Sequence, residues 1–210
     1  LRQRLERGAA ERSEPRPLIG VVGEIYVRSN AFANNFLTRR LEQCGAQVML
    51  PPFQEWLNYI AADRREIAWQ QGRIWSFVKE WVTELGARWT ESRVAKCFRG
   101  AVRHMPREQA VGEVVRLGSE YLDPNVKGEA ILSMGRALEY VHHGFHGIVN
   151  VAPFGCMPGA IVNSLLERFR RDHHLPVLKL DCDGLQQASE GTALEAFVHQ
   201  AREHMRGRKR

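Results

Sequence analysis

No stretch of the 210-residue chain approaches the ~18 uninterrupted apolar residues that a membrane-spanning helix needs. The N-terminus, LRQRLERGAAERSEPRP, has no apolar segment and does not read as a secretory signal. Cysteines are few and scattered. Cys44, Cys97, Cys156 and Cys182 form no CxxC pair, which argues against a self-contained zinc site. Without a secretory signal they are expected to be thiols in a reducing compartment, and the expected location is cytoplasmic. The GxGxxG fingerprint of dinucleotide-binding turns is missing, and no internal repeat or low-complexity tract is present. The chain begins at Leu1 rather than Met, which suggests a fragment or a processed product.

Charge of one sign is also lacking where a nucleic-acid binder would need it. The net charge is +6, and residues 1–16 and 202–210 carry all of it. The body between them holds 20 basic and 20 acidic residues. Nucleic-acid binding calls for a basic face on the folded part. Basic ends on a neutral body read instead as solubilising tails or as the stub of an arm leading elsewhere. With 44% hydrophobic residues, the chain still has enough apolar material for a real core.

What is present is a pattern of short apolar strands separated by helical stretches. The run 17–24 (PLIGVVGE) suits a parallel strand buried on both faces. A helix should follow, with Ser29 or Asn30 as cap, Phe32, Phe36, Leu37 and Leu41 on its inner face, and Gly45 as its stop. Residues 47–52 (QVMLPP) read as a second strand ended by the Pro pair. Strand, helix and strand in about 35 residues make a right-handed βαβ unit. Further on, a helix at 128–143, a strand at 147–152, a helix at 160–173, a strand at 176–181 and a helix at 192–205 continue the alternation. The expected fold is α/β, a parallel doubly wound sheet of Rossmann or flavodoxin-like type.

Between the second and third strands, residues of roughly 55–122 read as an inserted helical lobe containing all five Trp. Ile74, Phe77, Val78, Trp81, Val82 and Leu85 form one apolar stripe at three- and four-residue steps. A packed helix–helix seam is the expected use of such a stripe, ahead of base stacking or a cofactor box.

In open parallel sheets, ligands sit beyond the carboxyl ends of the strands. Three loops belong there, and Pro153-Phe-Gly-Cys-Met-Pro-Gly159 is the most informative. It sets Cys156 between a strand end and a helix start, where unpaired N–H groups and the helix dipole favour anions. Pro158 suits the first turn of that helix, and Gly155 suits the loop. A cysteine so placed can be a nucleophile, a redox thiol or a metal–sulfur ligand. No triad spacing selects a base from His142, His143 and His146. The loop at 23–28, with Glu24 and Arg28, could hold a carboxylate or phosphate, although a solvated Arg and capping Asn residues explain it equally well. Asp181 and Asp183 flank Cys182, where turn-forming Asp is commoner than a metal pair.

The segments GEIYVRSNAFANNFLTRRLEQCGAQVMLPPFQEWL, KGEAILSMGRALEYVHHGFHGIVNVAPFGCMPGAIVNSLL, LPVLKLDCDG and LEAFVHQA together resemble the 2-hydroxyacyl-CoA dehydratase and double-cubane-cluster protein superfamily. They are most similar to the C-terminal part of the large CoA-substrate-specific enzyme activase-related proteins, over about residues 17–201. The resemblance implies α/β domains that clamp an iron–sulfur cluster of the 4Fe–4S kind between them, on cysteines from different domains. It further implies an ATP-dependent activase as electron donor and acyl-CoA-type substrates. Carried over residue by residue, Cys156 is the one cluster ligand of this chain, within a loop shaped by Gly155 and Pro158. Glu24, Arg28 and the helix start at Glu129 lie around the cluster or substrate cleft. The expected partner is an upstream domain or a separate subunit, with neither nucleic acid nor membrane, and a homodimer is compatible. The cluster, being shared, can be absent from this chain taken alone. Cys182 stands where the family has Tyr in a YDG turn, so it is not an expected ligand. No ATPase module is present, and the chain alone is expected to be inactive. The rival readings are a cluster-free flavodoxin-like docking or regulatory domain and a thiol-dependent acyl transfer at Cys156.

Overall fold

The computed structural model describes residues 15–98, 110–126, 128–184 and 188–207. Four strands form one sheet: β1 (Leu18–Gly23), β2 (Gln47–Met49), β3 (Gly147–Pro153) and β4 (Val177–Cys182). All pairings are parallel and the order is β2-β1-β3-β4. Eight helices accompany them among the described residues. They are α1 (Ile25–Ser29), α2 (Leu37–Gln43), α3 (Phe53–Gln70), α4 (Ile74–Phe98), α5 (Val111–Gly118), α6 (Glu129–His142), α7 (Met157–His173) and α8 (Ala188–Gly207). None is long and apolar enough to cross a membrane. The doubly wound parallel α/β fold expected from the strand pattern is present.

The two central strands, β1 and β3, are apolar on both sides because helices cover both faces. On one face Val22, Ile148, Met134, Leu138, Val162, Leu166 and Phe169 join the sheet to α6 and α7. On the other, Ile19, Val21, Val149 and Val151 meet Leu37, Leu41, Leu194, Phe197 and Val198 of α2 and α8. Close approach is set by glycine on the first face. A Cβ on Gly20 would stand 2.1 Å from the Tyr140 ring, and one on Gly159 would stand 2.5 Å from Ala152 Cβ.

The helical stretch divides differently from the expected 55–122 insertion. From Gln54, α3 and α4 form one compact unit, whereas α5 belongs with the sheet. Val114 and Leu117 of α5 are buried, and Gly135 and Gly118 allow its backbone to lie directly against α6. All five Trp fall on α3 and α4, and none is in the sheet.

Three further expectations change. The helix after β1 begins at Leu37 rather than after Asn30; Phe36 is left-handed (φ 53°), and Phe32 and Phe36 point outward. Asn30 instead closes a turn, its Oδ1 accepting from the Phe32 and Ala33 N–H groups at 3.0 and 3.2 Å. The first turn after β1 is α1, which has no apolar periodicity to announce it. At the other end, α8 continues through Gly207, so residues 202–207 extend a helix with Met205 buried rather than starting a tail. The N-terminal tail expected over 1–16 lies outside the described residues up to residue 14.

Candidate functional site

In this strand order the chain leaves β1 toward β2 on one side and β3 toward β4 on the other. The crevice between their diverging carboxyl ends is where open α/β sheets bind ligands. Gly23, the last residue of β1, has φ 117°, which turns the chain onto β3. The next amide, Glu24 N–H, donates to the Val151 carbonyl at 2.9 Å. Gly23 N–H donates to Ser133 Oγ of α6 at 3.2 Å, and Arg28 Nη1 donates to the Gly23 carbonyl at 3.4 Å.

Glu24 caps α1. Its carboxylate accepts from Tyr26 N–H at 3.0 Å and Val27 N–H at 2.7 Å, meeting donors that a helix start leaves unpaired. The Ile25 N–H donates to Glu129 Oε2 from the first turn of α6, at 3.3 Å. Arg28 is 4% exposed, and Asn34 ties down the same turn by donating to the Val27 and Arg28 carbonyls at 2.9 and 3.1 Å. The structure thus gathers Glu24, Arg28, Glu129 and Ser133 around Gly23. Arg28 lies inside the protein and donates to a main-chain carbonyl, in place of the solvated Arg that one reading of the loop allowed. Ser133 was not singled out from the sequence; its only signal is a hydroxyl within an apolar helix stripe.

Burial, then the neighbouring Glu24 carboxylate, raise the Glu129 carboxyl above its ordinary range; the Ile25 N–H and Arg28 partly oppose this. A carboxyl raised on folding adds stability that is complete below its unfolded value, about 4.3, and is lost as pH rises through the folded value. Glu129→Gln keeps an acceptor for Ile25 N–H and removes the charge. It should therefore melt above the wild type at pH 7, and the two curves should converge on acidification. A variant less stable than wild type at pH 7 would contradict this placement.

The β3 loop carries the thiol. Gly155 (φ 75°) reverses the chain, and Cys156 N–H donates to the Pro153 carbonyl at 3.1 Å. Cys156 is then the N-cap of the 17-residue α7, with extended backbone and no side-chain capping bond, and Pro158 in the helix's first turn. The helix starts at Met157, three residues earlier than the periodicity indicated, and this places the thiol at its mouth. A Cβ on Gly159 would lie at ordinary contact distance, 3.7 Å, from Cys156 Sγ, so it is Ala152 rather than the thiol that requires glycine there. Cys156 is half-buried, while its neighbours Phe154 and Met157 are 78% and 73% exposed. Tyr26 and Phe32, on the loop and turn leaving β1, are exposed at the same end of the sheet.

The other thiols are differently placed. Cys182 is at the end of β4, packed among the apolar side chains of the α8 face, and its thiol is pushed up to about 11 by burial first and then by Glu190, Asp181 and Asp183. Cys44 caps α2, and burial followed by Glu195 also raises its thiol. It borders a groove of about 520 Å³ between α2 and α8, which Arg40, Leu194, His199 and Arg202 also line. That groove runs between two helices and not at the strand ends. The side chain of Cys97 lies outside the described residues.

His146 precedes β3, with its Nδ1 accepting Leu18 N–H at 2.9 Å, and His142 and His143 close α6 at the same end. Cys156 follows β3, so a strand of seven residues, about 20 Å, separates it from His146. A nucleophilic thiol needs a base within hydrogen-bond reach. These three histidines are at the amino end, so none of them stands beside Cys156 as a base. Among the described residues no three His, Cys, Asp or Glu side chains converge to hold a metal ion.

Fold and site together define a doubly wound parallel α/β protein with a half-exposed thiol at a helix start beside its switch point. Comparison with protein-family models, with curated proteins and with solved structures gave no match.

Proposed function

We propose that this chain is one component of an iron–sulfur electron-transfer system, lending Cys156 as a single ligand to a cluster completed by a partner domain or subunit. The observation that carries this reading is a half-buried thiol at the N-cap of a long helix, flanked by two exposed apolar side chains. An isolated thiol in a tight turn has no need of Phe154 and Met157 held out in water. A thiol closed over by a partner does, because the apolar rim excludes water from the shared centre. Such a cluster supplies low-potential one-electron transfer. This chain's part is to fix the thiolate at the positive end of α7 and to seat the partner. The half-buried Glu24 and Glu129 and the buried Arg28 tie down the backbone of the adjoining β1 loop. In this reading an ATP-dependent activase is the electron donor and acyl-CoA-type compounds are the acceptors. The other reading, a cluster-free docking module, uses the same rim without the thiol.

A chain that lends one thiol must present that thiol and hide the others. In a Cys97→Ser background, a thiol reagent at pH 8 should modify Cys156 at least ~10-fold faster than Cys44 or Cys182. Cys182, about 3 pH units below its titration point, holds only about one thiolate in a thousand. Cys156 reacting no faster than Cys182 would reduce its loop to a structural turn and leave the docking reading.

A further inference from the structure

Among the described residues the apolar stripe of α4 is largely exposed, where its spacing suggests a packed seam. Ile74, Trp75, Val78, Trp81, Val82, Leu85 and Trp89 are all exposed, from 38% at Val78 to 86% at Trp75. The rings of Trp69 on α3 and Phe77 on α4 meet at 5.4 Å, beyond the turn at Gly72. Phe77 lies outside the exposed stripe. Trp75, Val78, Val82, Leu85 and Trp89 alternate steps of three and four residues, the 3.5-residue period of a helix that faces another helix.

We propose that this stripe pairs with the same stripe of a second copy of the chain, antiparallel and centred on Val82. The layout of the stripe is close to its own mirror image. Trp75 stands seven residues before Val82 and Trp89 seven after, with Val78 and Leu85 between. An antiparallel copy sets Trp75 at the level of the other's Trp89, and Val82 at the level of the other's Val82, as a two-fold contact requires. The size also fits. With about 150–250 Å² for a whole aromatic side chain, the exposed parts of Trp75, Val78, Val82, Leu85 and Trp89 come to roughly 600 Å², the low end of the per-partner area of a stable interface. No stripe position is charged, and antiparallel pairing about Val82 keeps the two flanking Lys79 groups about 9 Å apart along the axis at 1.5 Å per residue. This contact is independent of Cys156 and of the reading built on it.

Sedimentation equilibrium of the full chain from low to high micromolar concentration tests the pairing. The wild type should dimerise. Val82→Glu should weaken the dimer by about 100-fold, because each copy would bury an unpaired carboxylate. Phe32→Ser, on the sheet unit, should leave the dimer unchanged. Val82 is an exposed position, so far-UV circular dichroism should be the same for all three proteins. A wild type that stays monomeric throughout, or a dimer indifferent to Val82→Glu, would overturn the proposal. So would a monomer that binds anionic phospholipid vesicles through the stripe and loses that binding in Val82→Glu.

Discussion

Gly23→Ala should destabilise the sheet unit by about 3–5 kcal/mol, lowering its melting temperature by about 10 °C. Two effects combine there. The residue has φ 117°, a conformation that L side chains rarely adopt. A Cβ built on it would also lie 2.0 Å from the Val151 carbonyl oxygen. That oxygen accepts the Glu24 N–H, so the methyl group can be accommodated only by parting β1 from β3 at their carboxyl ends. Ser133 and Arg28 both bond Gly23, so the loss reaches the candidate site as well as the fold. Gly191→Ala is the matching control. It lies within α8 with nothing near its Cβ position, and should be neutral or stabilise by about 0.5–1 kcal/mol. Differential scanning calorimetry of the two variants reads both effects. A Gly23→Ala protein that melts within about 2 °C of wild type would refute this account of the β1–β3 junction.

The strands were legible in the sequence because a parallel strand buried on both faces must be continuously apolar, as VV at 21–22 and IV at 148–149 are. The Cys156 loop was legible for a related reason. Pro153, Gly155, Pro158 and Gly159 mark, by backbone restriction alone, where a strand must end and a helix begin. The segment after β1 misled. Phe32, Phe36, Leu37 and Leu41 are spaced like a helix face, yet only the two leucines turn inward. The chain between Asn30 and Leu37 is held by side-chain-to-backbone bonds from Asn30 and Asn34, which periodicity does not register. Long-range partners were beyond reach too: nothing local says that Ser133 meets Gly23, 110 residues away, or that Glu129 meets Ile25. The α4 stripe was recognised as apolar, but a spacing pattern cannot say whether its partner lies in the same chain. Asn150 is visible in the sequence as a polar residue inside an apolar strand. It is fully buried, and its Nδ2 donates to Asn163 of α7 at 2.8 Å, which pins α7 against β3 below the thiol.

The largest functional effect expected is at Cys156. Serine has nearly the size of cysteine and is a favoured N-cap residue, whereas Cys156 makes no side-chain capping bond, so Cys156→Ser should leave the fold intact and the melting temperature unchanged or slightly raised. A serine hydroxyl is a poor substitute for thiolate on iron. In the protein purified anaerobically together with the partner that completes the centre, the substitution should therefore remove most of the cluster. Iron and acid-labile sulfide counted per chain, alongside the electron paramagnetic resonance of the reduced protein, make the most direct test of the proposed role. The reading predicts bound iron in the wild type, its loss in Cys156→Ser, and unchanged iron in Cys44→Ser and Cys182→Ser. Equal iron in the wild type and Cys156→Ser, or no iron in either, would contradict it.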